Sequence, residues 1–476
     1  MPAVENEVES AGPSQPPPDP EPQILVADRV EPELSDYDDD DNGTDSRPSK
    51  KDLWTLMNFL KGMIGPGCLS LPIAFKEAGL WCGFALIFIV GFLNLHCMSI
   101  LVHCSQSLCS RSGKMTLDYG HLAKKAFDLH GPVRWRAHTR KPLYITNLVV
   151  SVLQLGICSV LIVFLAENLK VVVDERVPEV KLKQSTYMAL LILPFILINY
   201  IRSIRVLAIM STVGNLLMLV VFIGVFQHLV TAQHDIVSLP WIGNFSQIVV
   251  ATGSILYAFE GQALVLPLEN DMATPQSMLG STGVLSTGMY LVMLIYAATG
   301  FYGYITYGKD VHPSITVDLP HNIPYDAMRL VFVFVVFVGS AVQLYVVIEM
   351  LWPAIRRKLL SGYEAVHLLL EFCYRTLLVL ITFVIAYAVP NLNHIIPLVG
   401  LSAGMLLAFV FPPALECLTF YEEWLATGGK RKLILHTVKN GALVTFGLVG
   451  LVGGLYTNIV VIAQDNSKPD GKGGSG

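Results

Sequence analysis

Charge is scarce in this 476-residue chain: Asp, Glu, Lys and Arg make up 14% of it, against 53% hydrophobic residues and a mean hydropathy of +0.55. A soluble globular chain carries about 25% charged residues, so the composition excludes an ordinary water-soluble domain and points to an all-α polytopic membrane protein. Catalytic signatures are missing as well. There is no Gly-x-x-x-x-Gly-Lys-Ser/Thr, which argues against an ATP-driven pump, and no His-Glu-x-x-His. The eight cysteines include no Cys-x-x-Cys pair and all fall in or beside apolar segments, which favours small buried side chains over a metal site. We read no enzyme, no metal, no cofactor and no nucleic-acid partner.

What charge there is sits unevenly. Residues 1–50 hold 14 Asp/Glu against three Lys/Arg, nine of the 27 prolines and the run Asp38 to Asp41. Such a stretch cannot bury enough apolar surface to fold, so the reading is a disordered acidic cytosolic tail, available to signalling partners. It has no basic region followed by an apolar core and is not a cleaved signal peptide. Residues 51–463 form the transmembrane body, in contact with membrane lipid. Residues 464–476, ending in Gly471 to Gly476, resemble a flexible linker or an appended remnant.

A span needs about 20 apolar residues. Eleven stretches meet that pattern, roughly 53–74, 80–104, 143–169, 187–201, 204–230, 246–267, 280–305, 327–351, 365–389, 393–417 and 433–463, and are called segments 1 to 11 below. Eight Lys/Arg follow segment 2, Arg202 and Arg205 follow segment 4, Arg356 to Lys358 follow segment 8, and Lys430 to Lys432 follow segment 10. Alternating segments put these basic loops on one side, so the N-terminus is expected in the cytosol and the C-terminus outside or in a lumen. Asn244-Phe245-Ser246 is a glycosylation sequon on the outer side, close against segment 6.

Two segments cannot be continuous helices. Segment 1 contains Gly62-Met63-Ile64-Gly65-Pro66-Gly67; proline lacks an N–H and glycine is permissive, so the helix breaks in mid-membrane. Broken backbone at that depth is tolerated only where protein or a cavity satisfies it. Segment 6 carries Tyr257-Ala258-Phe259-Glu260-Gly261-Gln262, with a carboxylate and a glycine at the same depth. A charge at the bilayer centre costs about 2.5–3.5 kcal/mol or more, so Glu260 reads as a proton site or a polar anchor, with backbone capping as the structural alternative. Segments 1 and 6 are five apart. Two inverted five-segment repeats bring the breaks together, where half-helix N-termini face an anion and bare carbonyls a cation. An amino-acid zwitterion offers both. The substrate contacts expected are Gly62, Met63, Ile64, Gly65 and Gly67, with Tyr257, Phe259, Gly261 and Gln262.

At these residues the chain resembles the proton-coupled amino-acid transporter family of the amino acid/auxin permease group. The resemblance runs from about residue 53 to 462. It rests on Leu60-Lys61-Gly62, Ile64-Gly65 and Leu69 to Pro72, then His96-Cys97-Met98, Gln154-Leu155-Gly156 and Phe164 to Asn168. It continues through Phe259-Glu260-Gly261, Leu266 to Asn270, Ser314-Ile315-Thr316, and Pro412-Pro413 with Glu416. It implies a LeuT-like fold of ten core helices plus one extra, with helices 1 and 6 broken. It also implies symport of small neutral amino acids (glycine, alanine, proline) with protons, at plasma or lysosomal membranes, with some members reporting supply to growth signalling. The chain departs from the family in three places. Asn58 stands where the family has a histidine linked to proton coupling, and asparagine cannot titrate. Glu260 becomes the main coupling candidate, with His96 and Glu349 behind it. No cysteine lies in the outer loops around 171–186, 231–245 and 306–325, so the family's outer disulfide is absent. Gln262-Ala263 replaces the usual Ile-Gly, adding polarity and bulk.

Other residues have plainer readings beside functional ones. Lys61 pairs with a buried carboxylate or lies against exposed carbonyls. His96 and His103 share a helix face, where packing is the commoner fate. Glu349 snorkels to an interface or takes a proton. Phe259 gates the site or packs. Two rivals stand beside proton symport. One is a facilitator or sodium-coupled carrier, although Gly339-Ser340-Ala341 offers one hydroxyl where sodium-coupled relatives have two. The other is a non-transporting sensor that signals through the acidic tail.

Overall fold

The computed structural model describes residues 50–113, 116–130, 140–177, 179, 181–272, 274–359 and 367–467. All lie in one compact unit, Pro48–Gly476; the acidic tail before Lys50 and the end beyond Ser467 lie outside the described residues. Among the described residues every regular element is a helix or helical turn. Among the described residues nine helices are long and apolar enough to cross a membrane, beside the eleven segments expected. The two shortfalls have physical causes. Segment 1 is cut by its own break, and segment 4 (Gln184–Asn199) has 16 residues, short of the roughly 20 a bilayer requires. Segments 5 and 11 present mostly apolar surface outward: 22% and 17% of their most apolar windows are buried in the protein. In water such faces would aggregate; beside acyl chains they are solvated.

Segment 1 forms Lys50–Met63, then a 3₁₀ turn Cys68–Ser70 and a short helix Leu71–Ala78. Pro72 sits in the first turn of the last piece, where no backbone donor is needed. The helix ends at Gly79, with φ +87° and no room for a Cβ, which would meet Ile242 backbone at 2.7 Å. The reason is a clamp. Leu80 N–H donates to Pro240 C=O at 2.9 Å and Gly243 N–H to Ala78 C=O at 2.6 Å, so the loop before segment 6 lies against this turn.

The buried apolar residues divide into two large clusters. One is built mainly from segments 1, 2, 6 and 7, with Phe59, Phe75, Met98, Phe259 and Met293 in it. The other is built mainly from segments 3, 4, 5, 8 and 9, with Phe164, Phe195, Val221, Phe332 and Phe383. Segment 10 contributes to both. It is not a plain helix either: Leu392–Val399 runs into two π-helical stretches, Gly400–Gly404 and Leu406–Val410. A Cβ on Gly400 would meet Tyr257 N at 3.0 Å, so segments 6 and 10 touch backbone to backbone there. Segments 10 and 11 join at Gly429, φ +59°.

Polar staples hold loops to this frame. Arg329 is 0% exposed. Its Nε donates to Thr316 C=O at 2.8 Å, its Nη1 pairs with Asp326 at 2.5 Å, and its Nη2 reaches Leu319 C=O and Val317 C=O. Arg176 also pairs with Asp326. Breaking a buried pair costs about 3–5 kcal/mol, because it leaves a charge behind. Arg329→Met is therefore expected to lower the thermal midpoint by several degrees; a midpoint within about 1 °C of the parent would contradict this account.

Candidate substrate and coupling site

The first break begins where Pro66 has no N–H to give. Ile64 N–H still bonds to Leu60 C=O at 2.8 Å, and Cys68 N–H restarts the helix on Gly65 C=O at 3.0 Å. Between them, among the described residues, the Gly65 and Gly67 N–H groups find no backbone acceptor. Nothing lies within 4 Å of a Cβ built on Gly65. The opening therefore offers two bare donors beside open space, at the start of the second half-helix.

The second break follows Phe245–Ala258. Phe259 N–H closes on Ile255 C=O at 3.0 Å and Glu260 N–H on Tyr257 C=O at 3.2 Å. Gly261, with φ −151° and ψ 5°, is neither helical nor extended, and Gln262–Asn270 restarts the helix. From segment 2, the Asn94 amide donates to Phe259 C=O at 2.8 Å and in turn accepts from the Gln262 amide at 2.5 Å. This polarity order leaves Gln262 Oε1 as a buried acceptor without a partner.

The two breaks meet. A Cβ on Gly67 would sit 3.1 Å from Ala258 Cα and 3.3 Å from the Tyr257 ring. One on Gly261 would press on Met63 and Met98, and one on Gly62 on Leu264. Glycine at 67 is thus a condition of the close approach. Tyr257 belongs to the apolar cluster of segments 3, 4, 5, 8 and 9, whereas Phe259, two residues on, belongs to the other. The break in segment 6 therefore lies on the seam between the two cores.

Glu260 projects to that seam. Its Oε2 lies 3.8 Å from the Cβ position of Gly404 in the first π-helical stretch of segment 10. Its Oε1 is buried with no hydrogen-bond partner, and no ion pair forms with it among the described residues. The Tyr119 hydroxyl, in electrostatic range of Glu260, donates to Leu407 C=O at 2.9 Å in the second π-helical stretch.

The other expected residues are dispersed. Gly62, Met63 and Ile64 flank the first break. Asn58 is half-buried on the first half-helix. The Lys61 ammonium lies 5.3 Å over the Trp54 ring. His96 is exposed and faces the Glu416–Lys439 pair, which is 3.0 Å long, instead of the breaks. His103 stacks on Phe420 at 4.6 Å. Glu349 is exposed, near Tyr345 on segment 8. Phe259, 0% exposed, packs on Tyr296 at a ring distance of 4.9 Å. Ser340, the single serine of segment 8, donates to Phe337 C=O at 2.7 Å in its own helix.

Three features were not anticipated from the residues alone: Asn94, Tyr296 and the π-helical turns of segment 10. Asn94, an amide inside Leu93-Asn94-Leu95, is the kind of lone polar residue that signals a partner in a membrane segment. Tyr296 sits among other aromatics of segment 7 and carries no such signal. Gly400 and Gly404 near Pro397 are compatible with irregularity, which at π-turns is frequent near functional sites.

The family model for transmembrane amino acid transporter proteins matches residues 52–460. The chain is 33% identical over 418 residues to the probable amino acid transporter skat-1 of Caenorhabditis elegans, covering 87% of this chain and 91% of that one. It is 30% identical over 427 residues to the proton-coupled amino acid transporter-like protein pathetic of Drosophila melanogaster, covering 88% and 87%. Among solved structures, a manganese transporter from Eremococcus coleocola aligns with TM-score 0.48 and 14% identity over 87% of this chain and 92% of that one. The match across nearly the whole membrane body places the chain in the transmembrane amino acid transporter family.

Proposed function

We propose that this protein is a secondary-active carrier of small neutral amino acids of the glycine, alanine and proline class, moving a proton with each substrate by alternating access. The observation that carries the reading is the meeting of the two breaks, with bare N–H groups at Gly65 and Gly67 and an unpartnered Glu260 oxygen on the seam. The two N–H groups, at a half-helix N-terminus, suit a carboxylate. The unfilled acceptor of Gln262 and the carbonyls of the segment 6 break suit an ammonium. Glu260 holds the proton. The two apolar clusters support rigid-body rocking, in which segments 1, 2, 6 and 7 tilt against the rest and open the seam to either side. The names of the two relatives, one an amino acid transporter and one proton-coupled, agree with this reading. A cytosolic N-terminus and a plasma-membrane or lysosomal address go with it.

Asn58, unable to titrate, favours an uncoupled facilitator as the second reading. Uptake of labelled glycine, alanine and proline into liposomes holding the purified protein, without sodium, separates them. Accumulation above equilibrium under an inward proton gradient is the expected result. Equilibration without accumulation would establish the facilitator, and binding without flux a sensor.

A further inference from the structure

The carbonyl ends of two half-helices converge at one atom. Lys50–Met63 ends at Met63 and Phe245–Ala258 ends at Ala258. The last carbonyls of a helix have no donor within it, and its C-terminus carries about half a negative charge. Two such ends side by side form a place suited to a cation, as unwound transporter helices use elsewhere. Here a neutral group fills it. The Tyr296 hydroxyl, from segment 7, lies 2.6 Å from Met63 C=O and 2.7 Å from Ala258 C=O. A phenol has a single proton, so it donates to one carbonyl at a time and the two acceptors share it. The ring is fully buried and wedged against Phe259, so the hydroxyl cannot swing away.

The neighbourhood offers no substitute. Phe259 C=O is taken by Asn94, and the Thr299 hydroxyl, one turn beyond Tyr296, donates to Ile295 C=O at 2.8 Å. Among the described residues no Lys or Arg nitrogen bonds to Met63 C=O or Ala258 C=O. Take away the phenol, and two carbonyl oxygens face the space it leaves, with no donor to neutralise them.

We propose that Tyr296 is a positioning residue whose hydroxyl occupies a cation position, ties segments 1, 6 and 7 into one body, and makes the site independent of sodium. Removing the whole phenol opens that position to a small monovalent cation. The claim rests on the proposed carrier function only for its transport arm, since cation binding is measured without flux.

The experiment uses full-length protein and the variants Tyr296→Phe and Tyr296→Ser, in sodium or choline chloride of equal ionic strength. The first readout is thermal stability of the purified protein. The parent midpoint is expected to be the same in both salts. Tyr296→Ser, which removes the ring together with the hydroxyl, is expected to be less stable in choline and to regain about 2 °C or more in sodium, saturably. Tyr296→Phe keeps a ring edge against the emptied position and should lose stability alike in both salts. The second readout is uptake in liposomes: at least tenfold lower for Tyr296→Ser in choline, and restored in part by sodium. A Tyr296→Ser protein that can be purified only in sodium supports the proposal. Sodium stabilisation of the parent overturns it, as does an absence of any sodium effect on Tyr296→Ser, a sodium gain in Tyr296→Phe equal to that of Tyr296→Ser, or failure of Tyr296→Ser to fold in either salt. If the parent carries no amino acid at all, the carrier reading falls, and the sodium-induced shift of the variants still decides this one.

Discussion

Glu260→Gln is expected to abolish proton-driven accumulation while leaving substrate exchange across the membrane intact. The physical reason is the carboxyl's position. It stands on the seam between the two apolar cores, with Oε1 buried and unpartnered and no cation paired to it among the described residues. An ionised carboxylate there is expensive, and protonation removes the charge. In the proposed carrier, movement of the seam between its two openings is then cheaper with the proton aboard, and that difference would couple proton flow to substrate flow. Glutamine keeps the shape and hydrogen-bonding capacity but carries no exchangeable charge. One pH unit is worth 1.36 kcal/mol, or a tenfold concentration ratio. One-for-one symport under a one-unit inward gradient therefore supports accumulation of at most about tenfold, and the glutamine variant should fall to the equilibrium ratio. Labelled alanine in sodium-free proteoliposomes, with and without the gradient, measures this. Undiminished accumulation by Glu260→Gln would show that the proton travels elsewhere.

The second large effect separates two glycines two residues apart. Gly67 has φ −58° and Gly65 is not in the left-handed region, so alanine strains the backbone at neither. Space decides instead. A methyl at 67 meets Ala258 Cα at 3.1 Å and the Tyr257 ring at 3.3 Å, so the two breaks must move apart. Overpacking of this kind costs about 1–3 kcal/mol, and Gly67→Ala is expected to lose thermal stability together with uptake. A methyl at 65 meets nothing within 4 Å. Gly65→Ala should therefore keep the parent midpoint, yet stand in the opening in front of the bare N–H groups and raise KM about tenfold, or 1.4 kcal/mol. Thermal unfolding and uptake kinetics on both variants test the pair. The reverse pattern, a stable Gly67→Ala beside an unfolded Gly65→Ala, would place the substrate opening elsewhere.

The positions of both breaks were legible in the residues because their causes are local. Pro66 lacks a donor wherever it sits, Gly62, Gly65, Gly67 and Gly261 lack a Cβ, and Glu260 is a carboxyl in an apolar run. Apolar length likewise marked the nine helices that, among the described residues, are long enough to span; segment 1 is broken where its glycines and Pro66 stand, and segment 4 is a 16-residue helix. Partner choice is a different matter, because it depends on chain brought from far away. Lys61 found Trp54 within its own helix in place of a carboxylate, and His96 turned toward Glu416 and Lys439 instead of the breaks. Phe259 went into packing because Tyr296 offered it a ring. Tyr296 itself lies 233 residues from Met63 and 38 from Ala258, and nothing in its own stretch of chain announces the two carbonyls it serves. Where the helix breaks, the backbone chemistry of a few consecutive residues decided; what fills each broken end, only the packing of distant segments could decide.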